Sequence, residues 1–373
     1  MNPPGRRRLS VWLVLVAAAG SLVACAPNSR SDSPIPPASQ APTSMGPSST
    51  PSATPFQAAI STSSPPPVEP FAKPRQLTSG GCCAYPFWMA DSSTVYFLGQ
   101  GSDGQSRILA QGLSADSPEV AFERPAWFDR MGRFAAYPAG ELTIVRRLGD
   151  NVEWRIPTGG RPLEFSPDGS QVAWIVSSNS IANRDRLRSA IWSGQFDGSE
   201  RRHVVDVIGG SLLGWTADSA GLLVSGRLEA QGPAGVWHIE LGKEPTLLFN
   251  AERVREASLS PEARWLAFYI AFSDDVSQDG LWLLDTVSGE SVKLDSFGAF
   301  RWRGPDRLLV IPLDPQSDRV VFDEYQPGQA DPIGEHSFPS MPIDDNDWSL
   351  SPDGRVIVYR SSLDGNLWWA SLE

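Results

Sequence analysis

Along most of the chain one pattern of apolar and polar positions recurs. An aromatic residue or leucine comes first, then a few polar turn formers, then a short unbroken apolar run. It is clearest at Phe165-Ser-Pro-Asp-Gly-Ser-Gln-Val-Ala-Trp174 and at Leu350-Ser-Pro-Asp-Gly-Arg-Val-Ile-Val-Tyr359. Worn copies begin at Trp88, Trp127, Trp215, Leu259 and Trp302. The seven starts lie roughly 38–50 residues apart, the period expected of a four-stranded propeller blade.

The local physics of the unit predicts a hairpin. Pro167 presets φ for the first central position of a tight turn, and Asp168 suits the second. Gly169 then takes the left-handed conformation that lets a second strand leave antiparallel. A third strand also repeats, at Ile191-Trp192, Val236-Trp237, Leu281-Trp282 and Leu367-Trp368, with Leu109, Ile144 and Val321 in comparable places. The chain has 14 tryptophans, most at repeat-equivalent positions, so packing between blades accounts for them better than a carbohydrate site does.

The ends complement each other. The last repeat stops after its third strand, while Pro74-Arg-Gln-Leu-Thr78 is a lone strand ahead of the first repeat. Joining them removes two open sheet edges. The expected fold is therefore all-β: a seven-bladed β-propeller over residues 71–373, with four antiparallel strands per blade. Residues 74–78 complete the last blade and close the ring.

The segment before residue 71 reads differently. Arg6-Arg7-Arg8 followed by the apolar run Val11–Gly20 predicts a signal peptide over residues 1–24, too short for a comfortable membrane span. It ends in Leu22-Val-Ala-Cys25, which resembles the lipobox of bacterial lipoproteins. That resemblance implies cleavage before Cys25 and acylation of its thiol, palmitate included, which would hold the protein on the outer side of the cell membrane. Residues 25–70, rich in Ser, Pro, Thr and Ala, bury too little to fold and predict a disordered tether spanning roughly 40–100 Å.

With Phe165-Ser-Pro-Asp-Gly, Leu350-Ser-Pro-Asp-Gly and Pro74-Arg-Gln-Leu-Thr-Ser-Gly-Gly81 in view, the domain resembles the TolB-like, WD-repeat-like β-propellers of bacterial lipoproteins. The resemblance covers residues 71–373. It implies fold more than activity, because such propellers include periplasmic partner-binding modules and peptidase propeller domains. The motif residues are turn formers, so no catalytic residue carries over.

Composition narrows the chemistry. Net charge is −12 for the whole chain and about −15 without the three leader arginines, which disfavours nucleic acid and anionic lipid as partners. The three histidines, His203, His238 and His336, fall on predicted outer strands of different blades. No metal-ligand spacing, catalytic triad or phosphate loop appears, so no metal and no cofactor is implied.

Gly80-Gly-Cys-Cys-Ala-Tyr85 is the most unusual local feature. An oxidising compartment favours pairing of Cys82 with Cys83 in a vicinal disulfide. Two buried thiols and an intermolecular bridge are the other states this spacing permits.

Topology gathers the irregular loops on one side. Connections from the fourth strand to the next first strand, and from second to third strands, emerge opposite the Ser-Pro-Asp-Gly turns. They carry Cys82, Cys83 and Tyr85, Glu123 with Arg124, Arg161, Arg184 and Arg186, Arg253 with Arg255, and Asp344, Asp345 and Asp347. Arg301 and Arg303 flank Trp302, and at least one is expected to reach the channel. The three aspartates lack the spacing and glycine of a calcium loop, so a solvated acidic loop is expected there.

The reading is a membrane-tethered, extracytoplasmic, non-enzymatic binding or scaffold module, monomeric in its propeller. Its partner is an envelope or extracellular protein or peptide, held on the loop face. The alternative is a channel receptor or a carboxylate-based hydrolase or lyase acting on a small ligand.

Overall fold

The computed structural model describes residues 73–372, except for Cys82, Ser102 and the stretches 178–186, 314–319 and 339–341. The side chains of residues 337, 338, 345 and 346 fall outside the description as well. The leader, Cys25 and the tether also lie outside it.

The described residues form strands and turns, with one 3-10 turn at Val276–Gln278 and no α-helix. A short strand β1 (Arg75–Gln76) precedes the repeats. Repeat 1 is β2 (Ala84–Trp88), β3 (Thr94–Gln100), β4 (Ser106–Gly112) and β5 (Glu119–Phe122). Repeat 2 is β6 (Trp127–Phe128), β7 (Phe134–Ala139), β8 (Leu142–Arg147) and β9 (Glu153–Ile156). Repeat 3 is β10 (Glu164–Phe165), β11 (Gln171–Ser177), β12 (Arg188–Gln195) and β13 (Arg202–Ile208). Repeat 4 is β14 (Leu212–Trp215), β15 (Gly221–Arg227), β16 (Ala234–Glu240) and β17 (Thr246–Asn250). Repeat 5 is β18 (Val254–Leu259), β19 (Trp265–Ile270), β20 (Gly280–Asp285) and β21 (Ser291–Lys293). Repeat 6 is β22 (Gly298–Trp302), β23 (Leu308–Pro312), β24 (Val320–Tyr325) and β25 (Gly334–Phe338). Repeat 7 has three strands, β26 (Ile343–Leu350), β27 (Val356–Ser361) and β28 (Leu367–Ser371).

These strands make a propeller arrangement of small antiparallel sheets. Five sheets are four-stranded, and one eight-stranded sheet holds repeats 3 and 4. The two halves of that larger sheet are joined by a single registered pair, Ile208 with Arg227. Strand β1 pairs antiparallel with β28, Arg75 opposite Trp369 and Gln76 opposite Trp368. The Leu77 and Thr78 amides continue the ladder by donating to the Leu367 carbonyl at 2.8 and 3.2 Å.

The repeated turn has one geometry. Phe165 pairs with Val172, Trp215 with Leu222, Leu259 with Leu266, Trp88 with Val95 and Leu350 with Ile357, always seven residues on. The copy in repeat 6 is one residue shorter, Trp302 pairing with Leu308. In repeat 2 the residue seven before its partner is Phe128, opposite Ala135, and not Trp127. The repeat marker there shifts by one from its sequence-based place, because Asp129 takes the role of Ser166. Its carboxylate accepts the Phe134 amide at 2.7 Å, as the Ser166 hydroxyl accepts that of Gln171 at 2.9 Å.

Four residues past the marker the backbone is left-handed in five copies. The position holds glycine at Gly132, Gly169 and Gly354, but Ser219 (φ 59°) and Ala263 (φ 55°) adopt the same conformation. The turn thus imposes its φ on side chains that disfavour it. Ser219 has a compensating task, because its hydroxyl accepts the Asp168 amide of the preceding repeat at 3.2 Å. Ser92, at the same position in repeat 1, accepts the Asp353 amide of repeat 7 at 3.2 Å.

Second strands read as unbroken apolar runs because both their faces are buried. Val172 joins a core cluster with repeat 2, and its neighbour Ala173 joins one with repeat 4. Each consecutive pair of repeats shares such a cluster. Repeats 7 and 1 share one too, where Val356, Val358, Leu367 and Trp369 meet Val95, Phe97 and Leu109, with Leu77 and Cys83 between them. Tryptophans seal several of these joints. The Trp215 indole donates to the Glu164 carbonyl of the preceding repeat at 2.9 Å, and Trp302 does the same to Ser258 at 3.0 Å.

Candidate functional site

First strands of the repeats line the inside of the arrangement, and their loop-side ends are irregular. In β2 the register slips between Ala84 and Phe87, in β18 between Arg255 and Ser258, and in β26 between Ile343 and Trp348. Such bulges re-aim side chains at a rim. In repeats 1 and 5 the bulge carries a non-glycine residue at positive φ, Tyr85 (54°) and Glu256 (48°). Tyr85, Glu256 and Asp347 occupy one repeat position, three residues before their markers.

The bulges of repeats 7 and 1 are tied to each other. The Asp347 carboxylate accepts the Tyr85 amide at 3.0 and 3.2 Å, which fixes the backbone that turns the Tyr85 ring outward, 72% exposed. Burial pushes the Asp347 carboxyl up, against the lowering effects of the Tyr85 amide, Arg360 and Arg301. Asp344 is held by Arg360 at 2.7 Å. The Asp345 side chain, Arg184, Arg186 and Cys82 lie outside the described residues. Cys83 is buried in the cluster between repeats 7 and 1.

Of the two arginines flanking Trp302, Arg301 is on the inner wall. It donates to the Trp348 carbonyl at 3.2 Å and lies over that indole at 5.1 Å. Loss of hydration pulls its pKa down, while Glu256 and Asp347 act in the opposite direction. Arg303 belongs to the turn side, where it donates to the Gly354 carbonyl at 2.7 Å and meets Glu324 at 3.3 Å.

The remaining predicted residues are dispersed around the loop side. Arg124 lies over the Tyr137 ring at 4.7 Å, and Glu123 meets Arg107 at 3.1 Å. The Arg161 backbone oxygen accepts the Thr143 hydroxyl at 2.7 Å. Arg253 donates to the Phe272 carbonyl, and Arg255 to that of Val254. Among the described residues no group of three or more His, Cys, Asp or Glu is gathered as if for a metal ion. No described helix is long and apolar enough to cross a membrane.

Two features escaped the sequence reading. One is Glu164, on the short first strand of repeat 3. Its side chain is open to water yet surrounded by protein, as a residue lining an inner channel is. That enclosure alone pushes its carboxyl up to about 7. The other is a set of exposed apolar side chains on the loop side, where Phe272, Val276, Phe297, Leu313 and Leu363 join the expected Tyr85. They belong to repeats 5, 6, 7 and 1, three of which carry first-strand bulges, the fourth such bulge being between Leu212 and Gly214 in repeat 4. No sequence signal distinguished the other five from core residues, since each of those sits in a connection whose course is set by its neighbours.

No protein-family model matches the chain, and no curated protein does. Solved structures do resemble it. Oligogalacturonate lyase from Vibrio parahaemolyticus has a TM-score of 0.57 at 9% identity, covering 81% of this chain and 96% of that one. A prolyl endopeptidase has a TM-score of 0.53 at 11% identity, covering 78% of this chain and 50% of its own. TolB from Acinetobacter baumannii aligns at a TM-score of 0.42 and 12% identity, covering 76% and 64%. At such identities the first two likenesses are of fold alone, and together with the sheet arrangement they make this domain a β-propeller.

Proposed function

We propose that the chain is a TolB-like, lipid-anchored propeller on the outer side of a bacterial membrane. It binds a protein or peptide partner through its loop face and has no catalytic activity of its own. The propeller has seven blades and is monomeric. Each half of the eight-stranded sheet has its own marker turn and its own shared cores with its neighbours, which supports counting it as two blades. Closure by β1 is supported by its pairing with β28 and by the Asp353–Ser92 hydrogen bond, the counterpart of Asp168–Ser219. Cys25 carries the lipid. Cys83 is disulfide-bonded, which supports a vicinal bridge to Cys82.

The observation that carries the binding role is the clustering of exposed apolar side chains. Of the eleven large exposed ones among the described residues, six lie on the loop side, in adjoining repeats 5, 6, 7 and 1. Exposed apolar groups grouped on one face mark an interaction surface, whereas scattered ones do not. Carboxylate chemistry at Asp344 and Asp347 is the weaker reading, since Arg360 and the Tyr85 amide already engage them.

The test is capture of partners from cross-linked membranes by the full chain. A single stoichiometric partner is expected, lost in Phe272→Ser combined with Leu313→Ser while the melting temperature is unchanged. Capture that survives this double substitution, or no partner at all, would overturn the assignment of the face.

A further inference from the structure

Three aromatic rings stand exposed among the described residues: Tyr85, Phe272 and Phe297, at 72, 67 and 55%. Phe297 rests on the Tyr269 ring at 4.8 Å, and its backbone is not left-handed. The other two are built differently. Tyr85 and Phe272 have φ values of 54° and 59°, and neither ring meets another ring among the described residues. Their settings are unrelated: a first-strand bulge in repeat 1, and the connection between β19 and β20 in repeat 5.

In both places an aspartate holds the left-handed residue by its amide. Asp347 accepts the Tyr85 amide at 3.0 and 3.2 Å. Asp279 accepts the Phe272 amide at 3.1 Å with one oxygen and the Ser273 amide at 2.9 Å with the other. Arg253 donates to the Phe272 carbonyl, so that residue is fixed from both ends. A bulky side chain at positive φ costs free energy that glycine would not. At most left-handed positions among the described residues this chain does place glycine, Gly80 and Gly81 just ahead of Tyr85 included. A turn that needed only the backbone conformation would be better served by glycine at 85 and 272. The sequence instead keeps a ring at each, adds a carboxylate to hold it, and gives the ring to solvent. Strain retained twice, in unrelated settings, points to a use for the rings themselves.

We propose that Tyr85 and Phe272 are preset anchors that insert into apolar pockets of a folded partner protein, with Asp347 and Asp279 as their positioning residues. This rests on the loop-face reading above and narrows its partner from protein or peptide to folded protein. Shape decides the class. A ring that stands clear of its own surface is a knob, and burying it requires a hole on the other molecule. An extended peptide binds by lying in a groove or along a sheet edge, and it brings no hole. Aromatic side chains fixed in advance lose little freedom on docking, so more of the apolar area they bury contributes to affinity. The Tyr85 hydroxyl has no hydrogen-bond partner among the described residues and suits a polar group at the pocket floor.

β-Cyclodextrin, a soluble apolar cup that takes one phenyl ring, serves as the pocket in a test on the full chain. Labelling with meta-fluorotyrosine marks 6 tyrosines, and the resonance lost in Tyr85→Phe assigns Tyr85. Saturable movement of that fluorine resonance with β-cyclodextrin is expected. Asp347→Ala should weaken the binding at least tenfold, and Asp347→Asn, which keeps an acceptor oxygen, should restore it. With para-fluorophenylalanine, assigned through Phe272→Ser, Asp279→Ala should weaken binding at Phe272 by a similar factor. Absence of a saturable shift at either ring, or equal affinity in Asp347→Ala and Asp347→Asn, would overturn the anchors. Capture by the full chain is expected from native membrane extract, and is expected to vanish once the extract is digested to peptides. Peptides captured through Phe272 and Leu313 would leave the loop face standing and overturn the folded partner. Capture indifferent to Phe272→Ser with Leu313→Ser would overturn the face itself. Melting curves check folding; should Asp347→Ala unfold, Asp279→Ala decides alone.

Discussion

The turn side and the loop side of this propeller are made from the same strands and follow opposite rules. On the turn side a hydroxyl or carboxylate one residue past the marker and an aspartate two further on recur with little variation. Ser166 with Asp168, Thr216 with Asp218 and Ser351 with Asp353 make the same side-chain contact at 2.6, 2.7 and 2.5 Å. Even strained φ values at Ser219 and Ala263 there serve a shared geometry. On the loop side the strained residues, Tyr85 and Glu256, break the ladder instead of completing it, and apolar rings point at water. Strain spent on repeating a turn stabilises the ring. Strain spent on a bulge positions a side chain, which is the usual mark of a functional rim.

Breaking the turn side and its ring joint should have the largest effects on stability. Deleting residues 73–78 removes β1, buried Leu77 and the Thr78 hydroxyl that accepts the Leu367 amide at 2.9 Å. A loss above about 4 kcal/mol, with a lower denaturation midpoint, is expected. A midpoint that does not move would refute the closing role of this strand. Asp129→Ala leaves two amides and the Arg133 side chain without their acceptor and should cost about 2–3 kcal/mol. Ser219→Ala removes only the link to the Asp168 amide, and about 1 kcal/mol is expected.

The loop side should respond in the opposite sense. Tyr85→Gly relieves the positive φ and is expected to leave stability unchanged or raise it by up to about 1 kcal/mol, while partner capture falls. A destabilised Tyr85→Gly would mean the ring contributes to the fold and not to a surface. The smallest effect is a pH slope. The folded Glu164 carboxyl, near 7, lies above its unfolded value, so the folded state holds the proton more tightly. Stability should therefore decline as pH rises from about 4.5 to about 7. Glu164→Gln should remove that component of the slope in urea midpoints measured across this range.

Sequence periodicity made the repeats legible because each turn needs the same few residues wherever it occurs. All seven markers end their first strands, with a one-residue shift at Phe128, where Asp129 replaces the usual hydroxyl and hides the alignment. The third-strand pairs such as Ile191-Trp192 and Val236-Trp237 fall on β12 and β16 as the pattern requires. The rim was less legible. Charges drew attention to Arg124, Arg161 and Arg303, of which Arg303 braces the joint between repeats 6 and 7 on the turn side. Glu164 gave no sign of its setting, since one residue before a turn looks the same in sequence whether it meets bulk water or an enclosed channel. Phe272 and Leu313 were equally silent, because hydropathy does not report which apolar residues a connection leaves uncovered.

The direction of β1 has a mechanical consequence. It runs antiparallel to β28, which climbs from the loop side and ends on the turn side, so the chain reaches Arg75 from the turn side. Any tension transmitted through the preceding residues is therefore applied at that end of the outermost strand of repeat 7. The load is borne first by the Arg75–Trp369 and Gln76–Trp368 pairs and the Leu77 and Thr78 amides behind them, with Leu77 as the buried wedge. The opposite rim, where the rings of Tyr85 and Phe272 stand open, takes no part in those contacts.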